Sequence, residues 1–181
     1  RGLIAERVRI PELYSNLGMI CVQTNRRAEA QSLFKQALAV DPSFIDARMH
    51  LASHHEQSGR TEQAIDCYQK VLSRNPSMVA ARYLLANQLK AQGRMEEAVA
   101  HYRKIMEQQP AYTQAHFTYS GIHKYQDAGD PHLTAMLDLY QNEGLDVDSR
   151  IHLSFALAKA HEDLKDYPRA FGYLKTGNDL R

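Results

Sequence analysis

Apolar residues recur along the chain at the three- and four-residue spacing of amphipathic helices, and short polar segments interrupt them. The pattern is clearest over residues 45–76, IDARMHLASHHEQSGRTEQAIDCYQKVLSRNP. It predicts two short helices that are joined by a turn at Gly59 and closed by a proline. Residues 11–42 and 79–110 repeat this arrangement in outline. The chain is therefore predicted to consist of repeated helical hairpins.

Four kinds of residue return every 34 positions: a large apolar residue in each first helix, an alanine and an aromatic residue in each second helix, and a closing proline. They are Leu17, Leu51 and Leu85; Ala30, Ala64 and Ala98; Phe34, Tyr68 and Tyr102; and Pro42, Pro76 and Pro110. A 34-residue period with these residues resembles the tetratricopeptide repeat (TPR) family. The resemblance implies an all-α fold, an α-solenoid with a right-handed superhelix of about five helix–turn–helix repeats. It also implies that the alanines lie where paired helices cross.

We interpret the chain as a single TPR domain over residues 1–181 with a lead-in or remnant of an earlier repeat at residues 1–10. The repeats are assigned to about 11–44, 45–78, 79–112, 113–150 and 151–181. The chain begins with Arg1 instead of methionine, so we expect a fragment or a processed chain, and a missing leader stays open. We see no polar terminal helix covering the last apolar face, so the sequence is expected to be cut from a longer one.

The fourth repeat departs from the pattern because its turn is lengthened to KYQDAGDPH, residues 124–132. If about four residues are inserted there, Met136 and Tyr140 take the alanine and aromatic positions of the second helix. The polar segment NEGLDVDS, residues 142–149, then predicts a loop before the fifth repeat. The fifth repeat returns to the pattern with Leu157, Ala158, Tyr167, Ala170 and Leu174.

Turn and cap residues fit this arrangement. Asn25 tolerates a left-handed backbone in the first turn. Thr61 is expected to cap the second helix of repeat two, and Asp166 the last helix. For the first helix of repeat five, Asp148 and Ser149 are alternative caps.

Composition narrows the possible functions. Lys and Arg number 22 and Asp and Glu number 21, which argues against a nucleic-acid surface because such surfaces are basic. Cys21 and Cys67 fall in different predicted helices and are expected to be reduced, partly buried thiols instead of a disulfide. No apolar run has the length of a membrane span and no signal peptide opens the chain. We therefore expect a cytoplasmic protein that does not bind membranes.

Stacked first helices of a TPR array line a concave groove. Carried over by position, the groove begins with Ser15 and Met19 and then continues with Met49, Ser53, Tyr83, Asn87, Lys90, Phe117, Lys124, Phe155 and Lys159. Such an apolar and aromatic wall with a few polar groups suits a peptide or a helix. The alternative for each aromatic residue is packing between repeats. Ser15 and Met19 replace the lysine and asparagine with which chaperone-tail-binding TPR proteins hold a carboxylate, so that ligand is not expected.

The nine histidines do not form a recognisable active site. His50 and His54 are four residues apart, a spacing that can bind zinc, but no further ligand completes the set. They are more simply explained as polar helix residues. His116, His123, His152 and His161 lie on separate predicted elements and none is expected to be catalytic. We therefore predict no enzyme activity, no metal and no cofactor in this chain.

The last third has a second resemblance. It begins with GDPHL, residues 129–133, continues through a short helix and a polar loop, and ends with HLSFALAKAHEDLKDYPRAFGYLKTGNDLR, residues 152–181. These residues resemble the segment that precedes the catalytic domain in bacterial TPR-sulfotransferase proteins. The matching residues are Phe155, Ala156, Leu157, Lys159, Ala160, Asp163, Asp166, Tyr167, Ala170, Phe171, Gly177 and Asn178. The resemblance implies that the parent protein carries a sulfotransferase domain beyond Arg181.

Two functions follow from the sequence. The first is a protein–protein interaction scaffold that binds a peptide or protein segment in the concave groove. The alternative is an accessory or substrate-docking region of a sulfotransferase. Self-association through the terminal helices is a further expectation.

Overall fold

The computed structural model describes residues 10–181, which form ten α-helices and contain no β-strand. The helices are α1 (Pro11–Gln23), α2 (Arg27–Val40), α3 (Ile45–Gln57), α4 (Thr61–Arg74), α5 (Val79–Ala91), α6 (Met95–Gln108), α7 (Thr113–Ser120), α8 (Pro131–Tyr140), α9 (Val147–Asp163) and α10 (Tyr167–Asp179). The predicted all-α class is confirmed. None of these ten helices is long and apolar enough to cross a membrane. The predicted lead-in falls almost entirely on residues 1–9, which lie outside the described residues.

The helices form two compact units. The first comprises the described residues up to Arg94 and the second comprises Met95–Arg181. In the first unit α1 packs on α2, α3 contacts α1, α2 and α4, and α4 contacts α5. In the second unit α6 contacts α7, while α9 packs against α7, α8 and α10. The assignment of five repeats within one domain stays an interpretation of the sequence.

Small and aromatic residues of the period form the core of the first unit. Ala30 and Ala64 are fully buried, and so are Phe34 and Tyr68 four residues further along their helices. Gly18 in α1 leaves room for the Phe34 ring, because a Cβ atom there would lie 2.4 Å from ring atom Cε1. Contact between the Phe34 ring of α2 and Gly18 of α1 therefore joins the two helices of this hairpin.

The recurring leucines are not equivalent in the structure. Leu51 is 7% exposed and Leu85 is 1% exposed, as expected for core residues. Leu17 is 42% exposed, although it occupies the same position of the period. The reason is positional, since α3 packs on a preceding hairpin whereas the described residues include no hairpin before α1.

Left-handed turns join the paired helices at matching positions. The backbone φ angle is 59° at Asn25, 68° at Gly59, 76° at Gly93 and 61° at Lys165. The prediction for Asn25 is confirmed. Within each unit, these turns let the second helix of a hairpin return along the first, and glycine is the residue that adopts them with least strain.

Two predicted helix caps are wrong and one is confirmed. Thr61 is the first residue of α4, the preceding Arg60 is in the cap position, and no side chain accepts a hydrogen bond there. The cap of α9 is Asp146 instead of Asp148 or Ser149, and its carboxylate accepts from the Ser149 N–H at 2.7 Å. Asp166 caps α10 as predicted by accepting from the Arg169 N–H.

The core of the second unit centres on α9. Leu153 and Leu157 are buried there together with Met136 of α8 and Tyr125 of the long turn. Tyr140 is half-buried, with its hydroxyl 3.2 Å from Ser154 Oγ. Met136 and Tyr140 therefore take inward positions in α8, and the insertion of about four residues stays a prediction from the sequence. Elsewhere in the chain, both cysteines are free and buried, which agrees with the expected thiols.

Candidate binding groove

Three aromatic rings from α7 and α9 form a row in the second unit, in which Phe117 is exposed and His152 and Phe155 are half-buried. Phe117 of α7 is 42% exposed and stacks on His152 of α9, with ring centroids 5.9 Å apart. It is also tilted against Phe155, one helical turn further along α9, at 6.3 Å. Large apolar rings that remain accessible to solvent are typical of surfaces that bind other molecules.

The row borders an open cavity of about 880 Å³. Phe117, Phe155 and Lys159 line one side, while Phe171 and Leu174 of α10 line the other. The Phe155 ring packs directly on Gly177 of α10, where a Cβ atom would be only 3.2 Å from the ring. The cavity is within the size range of ligand-binding pockets and its wall is mainly apolar.

Lys124 and Lys159 both pair with Asp163. The Lys124 ammonium is 2.5 Å from one carboxylate oxygen, and Lys159 donates to the other. The second oxygen also accepts from the Tyr125 backbone N–H at 3.2 Å. Burial by itself would raise the pKa of Asp163, but these hydrogen bonds outweigh it and the pKa lies below its usual range. Two of the three predicted groove lysines, Lys124 and Lys159, are thus ion-paired, and of these two only Lys159 lines the cavity.

The predicted groove residues of the first unit lie on α3 and α5 and are all half-buried: Met49, Ser53, Tyr83, Asn87 and Lys90. Ser53 accepts a hydrogen bond from Gln57 one turn later, at 3.4 Å. Ser15, the first of the groove positions, is buried and its hydroxyl is 3.0 Å from His50 Nδ1. The first predicted groove position is therefore taken up by a hydrogen bond between α1 and α3.

A buried hydrogen-bond chain links the long turn to α7 and α8. His116 Nε2 lies 2.8 Å from the Pro110 carbonyl, which can only accept, so Nε2 carries the proton. His116 Nδ1 must then accept from His132 Nε2 at 3.0 Å, and His132 Nδ1 accepts from the Tyr125 hydroxyl at 2.6 Å. The geometry thus fixes one tautomer for each neutral imidazole.

Burial keeps this chain uncharged. It lowers the pKa of His132 to about 3, with the neighbouring His116 acting in the same direction. Burial also lowers the pKa of His116 and raises that of Tyr125. All three side chains are therefore neutral at pH 7 and act as polar core residues.

A second set of polar contacts holds the other end of the long turn. His123 Nε2 is 2.7 Å from one Asp130 oxygen, and the Tyr119 hydroxyl is 3.3 Å from His123 Nδ1. The other Asp130 oxygen caps α8 by accepting from two backbone N–H groups. The inserted turn is thus fastened by hydrogen bonds at both ends.

The histidines give no support for a metal site. Within residues 10–181, no group of three or more His, Cys, Asp or Glu side chains is arranged to hold a metal ion. His50 points its Nδ1 at the Ser15 hydroxyl and its ring lies 5.3 Å from Phe34. His54 is buried beside His55, and burial lowers the pKa of both.

Sequence reasoning missed two features of the second unit. The α10 wall of the cavity was not predicted, although Phe171 and Leu174 are spaced as neighbours on one helix face. The histidine chain was also missed, because His116 and His132 lie on different helices. The available signal was the lengthened turn itself, which is rich in hydrogen-bonding side chains.

Helical hairpins stacked in this way define the class of helical-repeat proteins. Family models described as "Tetratricopeptide repeat" match residues 11–44 and 51–113. The chain therefore belongs to the tetratricopeptide repeat family.

Solved structures of TPR proteins have the same fold. A crystal structure of MamA protein superposes with a TM-score of 0.73 at 15% identity, covering 94% of this chain and 91% of that chain. YrrB, described as a TPR protein with an unusual peptide-binding site, gives 0.68 at 16% identity over 93% of this chain and 84% of that one. A mutant O-GlcNAc transferase of Thermobaculum terrenum gives 0.57 at 19% identity over 72% of this chain, but over only 26% of its own. A sequence search of curated proteins gave no significant match.

Proposed function

We propose that the chain is a non-catalytic protein–protein interaction scaffold that binds a peptide or protein segment along its groove. The carrying observation is the row of Phe117, His152 and Phe155, whose rings border the cavity. Binding of peptides by other TPR proteins, such as YrrB, supports the same function. A cytoplasmic location remains part of this proposal.

The geometry favours a segment that places an apolar side chain against the two phenylalanine rings. Phe117 and Phe155 offer ring faces and edges, which gain most from aromatic or large aliphatic partners. Lys159 lines the cavity beside them, but its ammonium is already ion-paired with Asp163. Apolar contact therefore supplies most of the affinity, and polar groups set the register.

The test is peptide selection followed by one matched substitution. Random peptides are selected on the immobilised full chain, and affinities of the selected peptides are measured by fluorescence polarisation. Phe117→Ala should weaken binding by about tenfold or more, as truncation of a central aromatic does. Met95→Ala removes a similarly exposed apolar side chain outside the cavity and should leave affinity unchanged. Equal affinity of the selected peptides for wild type and Phe117→Ala would sink the proposal.

The first unit is tested separately through Tyr83. Peptides that contact the predicted groove positions of the first unit should bind more weakly to Tyr83→Ala. If only Phe117→Ala has an effect, the binding segment is confined to the second unit.

The sulfotransferase alternative rests on the sequence resemblance of residues 152–181. Several of the matching residues have structural roles here, since Gly177 accommodates Phe155, Asp163 binds Lys124, and Asp166 caps α10. Translation of the coding sequence beyond Arg181 decides this alternative. A stop codon close by, with no phosphate-binding loop downstream, would remove it.

A further inference from the structure

A row of polar side chains connects the beginnings of α7 and α9, which pack against each other. Thr113 is the first residue of α7, and its buried hydroxyl oxygen lies 3.2 Å from Ser149 Oγ and 3.3 Å from His152 Nδ1. Ser149 Oγ lies 3.1 Å from a carboxylate oxygen of Asp146, the cap of α9. Polar contacts therefore run without interruption from the Asp146 carboxylate to the His152 imidazole.

The carboxylate fixes the direction of these hydrogen bonds. The backbone N–H and the hydroxyl of Ser149 donate to Asp146 and hold the pKa of its carboxyl below the usual range, so the group is ionised at neutral pH and only accepts. Ser149 has thus used its one hydroxyl proton and accepts from Thr113. Thr113 has then used its own proton and accepts from His152. All three contacts are hydrogen bonds only if Nδ1 of the neutral imidazole carries the proton.

This tautomer leaves His152 Nε2 as an unprotonated hydrogen-bond acceptor. Among residues 10–181, Thr113 is the only hydrogen-bond partner of the ring. The ring is half-buried, and its Nε2 atom remains accessible to solvent. It stacks on Phe117 and lines the cavity together with Phe155. A single polar atom beside two phenyl rings is the kind of group that fixes the orientation of a ligand in an apolar site.

We propose, on the basis of the peptide-binding function above, that His152 determines specificity in the groove by accepting a hydrogen bond at Nε2 from the bound segment. The side chain it selects is aromatic and carries its own donor, and tryptophan fits best. The indole ring packs on Phe117 and Phe155, and its N–H donates without bringing an acceptor towards Nε2. A phenylalanine or leucine ligand would displace water from Nε2 and return no hydrogen bond.

A histidine at the equivalent position of the first unit lacks this arrangement. His50 lies three 34-residue periods before His152, and its Nδ1 is 3.0 Å from Ser15 Oγ. Within the described residues, no carboxylate accepts the Ser15 hydroxyl proton, so this hydroxyl can donate to His50 or accept from it. The geometry therefore fixes no tautomer at His50, which makes it a matched control.

The first measurement determines the tautomer of His152 in the full chain without a ligand. Long-range proton–nitrogen correlation spectra at about pH 8.5, where imidazoles are neutral, distinguish protonated from unprotonated ring nitrogens. The His152 signals are identified by their loss in His152→Phe. Wild type should have a protonated Nδ1, and a protonated Nε2 would overturn the proposal.

Two variants test whether the row of hydrogen bonds sets this tautomer. Thr113→Val removes the acceptor of the Nδ1 proton and should shift the population towards a protonated Nε2. Ser149→Ala, at a half-buried site, frees the Thr113 proton to donate to Nδ1 and should act in the same direction. Folding of each variant is checked by circular dichroism. A folded Ser149→Ala protein with the tautomer population of wild type would overturn the role of the row.

The second measurement uses indole and N-methylindole as probes, because they differ only at the ring nitrogen. Titration monitored by the resonances of the groove gives both dissociation constants. Indole should bind wild type about two- to tenfold more tightly, as expected for one net hydrogen bond. His152→Phe keeps a ring on Phe117 and should lose this preference, whereas His50→Phe should retain it. Equal affinity of wild type for the two probes would overturn the proposal.

Peptide selection separates this inference from the scaffold function itself. Selected peptides should be enriched in tryptophan, and methylation of its indole nitrogen should weaken binding to wild type but not to His152→Phe. Peptides that require Phe117 but tolerate the methyl group would overturn the role of His152 and leave the scaffold function standing. Peptides indifferent to Phe117→Ala would overturn both, since the specificity rests on that site.

Discussion

The two units differ in the side chains that pack their interiors: apolar rings in the first, and hydrogen-bonded polar groups around the long turn of the second. In the first unit the hairpins keep a strict 34-residue period, and rings such as Phe34 and Tyr68 fill the space beside small residues. In the second unit the long turn after α7 breaks the period, and part-buried imidazole and phenol groups there form a chain of hydrogen bonds. A repeat can thus be lengthened if the inserted segment brings its own hydrogen-bond partners.

The difference predicts unequal sensitivity to substitution. An apolar core loses stability mainly when volume is removed, whereas a buried polar chain loses it when one hydrogen bond is left unmade. The following variants separate these two responses, and the first two each have a control with the same chemical change at an exposed site. All are measured at low protein concentration, so that self-association does not contribute.

The largest effect is expected from Phe34→Ala in the first unit. Phe34 is fully buried on Gly18, and removal of its ring leaves a cavity that costs about 3–5 kcal/mol of unfolding free energy. Urea denaturation monitored by circular dichroism measures the loss. Phe171→Ala makes the same change at an exposed site and should stay within about 0.5 kcal/mol of wild type. Similar losses for both variants would contradict the proposed role of the Phe34 ring in closing the hairpin.

An intermediate effect is expected from Tyr125→Phe in the second unit. The substitution keeps the ring and leaves His132 Nδ1 without its donor, so it should cost about 1–3 kcal/mol. Tyr167→Phe is the control, because Tyr167 is exposed and loses little with its hydroxyl. The same urea titration compares the two variants. A Tyr125→Phe protein as stable as wild type would mean that the hydrogen-bond chain contributes nothing to the inserted turn.

Acid should weaken the second unit through the same chain. His132 titrates near pH 6.5 in the unfolded chain and has a folded pKa of about 3, so the unfolded state binds more protons between these values. Its contribution to stability is complete above pH 6.5 and is lost as pH falls towards 3, with a slope of up to about 1.4 kcal/mol per pH unit. The urea midpoint at several pH values measures this slope.

His132→Phe tests the assignment, because it removes the titrating group while keeping an aromatic ring. The slope should become shallower and should not vanish, since the pKa values of His54 and His55 in the first unit are lowered as well. A slope identical to that of wild type would place the acid sensitivity elsewhere in the chain.

Features that arise from local helix geometry could be predicted from the sequence, whereas features that depend on tertiary contacts could not. Period and burial are local consequences of helix geometry, so Ala30, Ala64 and their aromatic partners could be placed from spacing alone. The lengthened turn could be located, but not the pairing of His116 with His132, because that contact depends on how α8 returns against α7. The α10 wall of the candidate site was missed for a similar reason. Phe171 fits the pattern of an ordinary amphipathic helix, and its exposure follows only from the described fold, which places no helix after α10.

The smallest effects are expected at the left-handed turns, where the two units differ in residue type. Gly59 is free of Cβ contacts within 4 Å, so Gly59→Ala tests backbone strain alone and should cost about 1 kcal/mol. Lys165 adopts the same conformation with a side chain, and Lys165→Gly should relieve this strain. The gain is limited to about 0.5 kcal/mol, since glycine also loses more backbone entropy on folding. Thermal and urea unfolding of the two variants should move in opposite directions. A loss of stability in Lys165→Gly would show that the lysine side chain stabilises its turn by more than the strain it introduces.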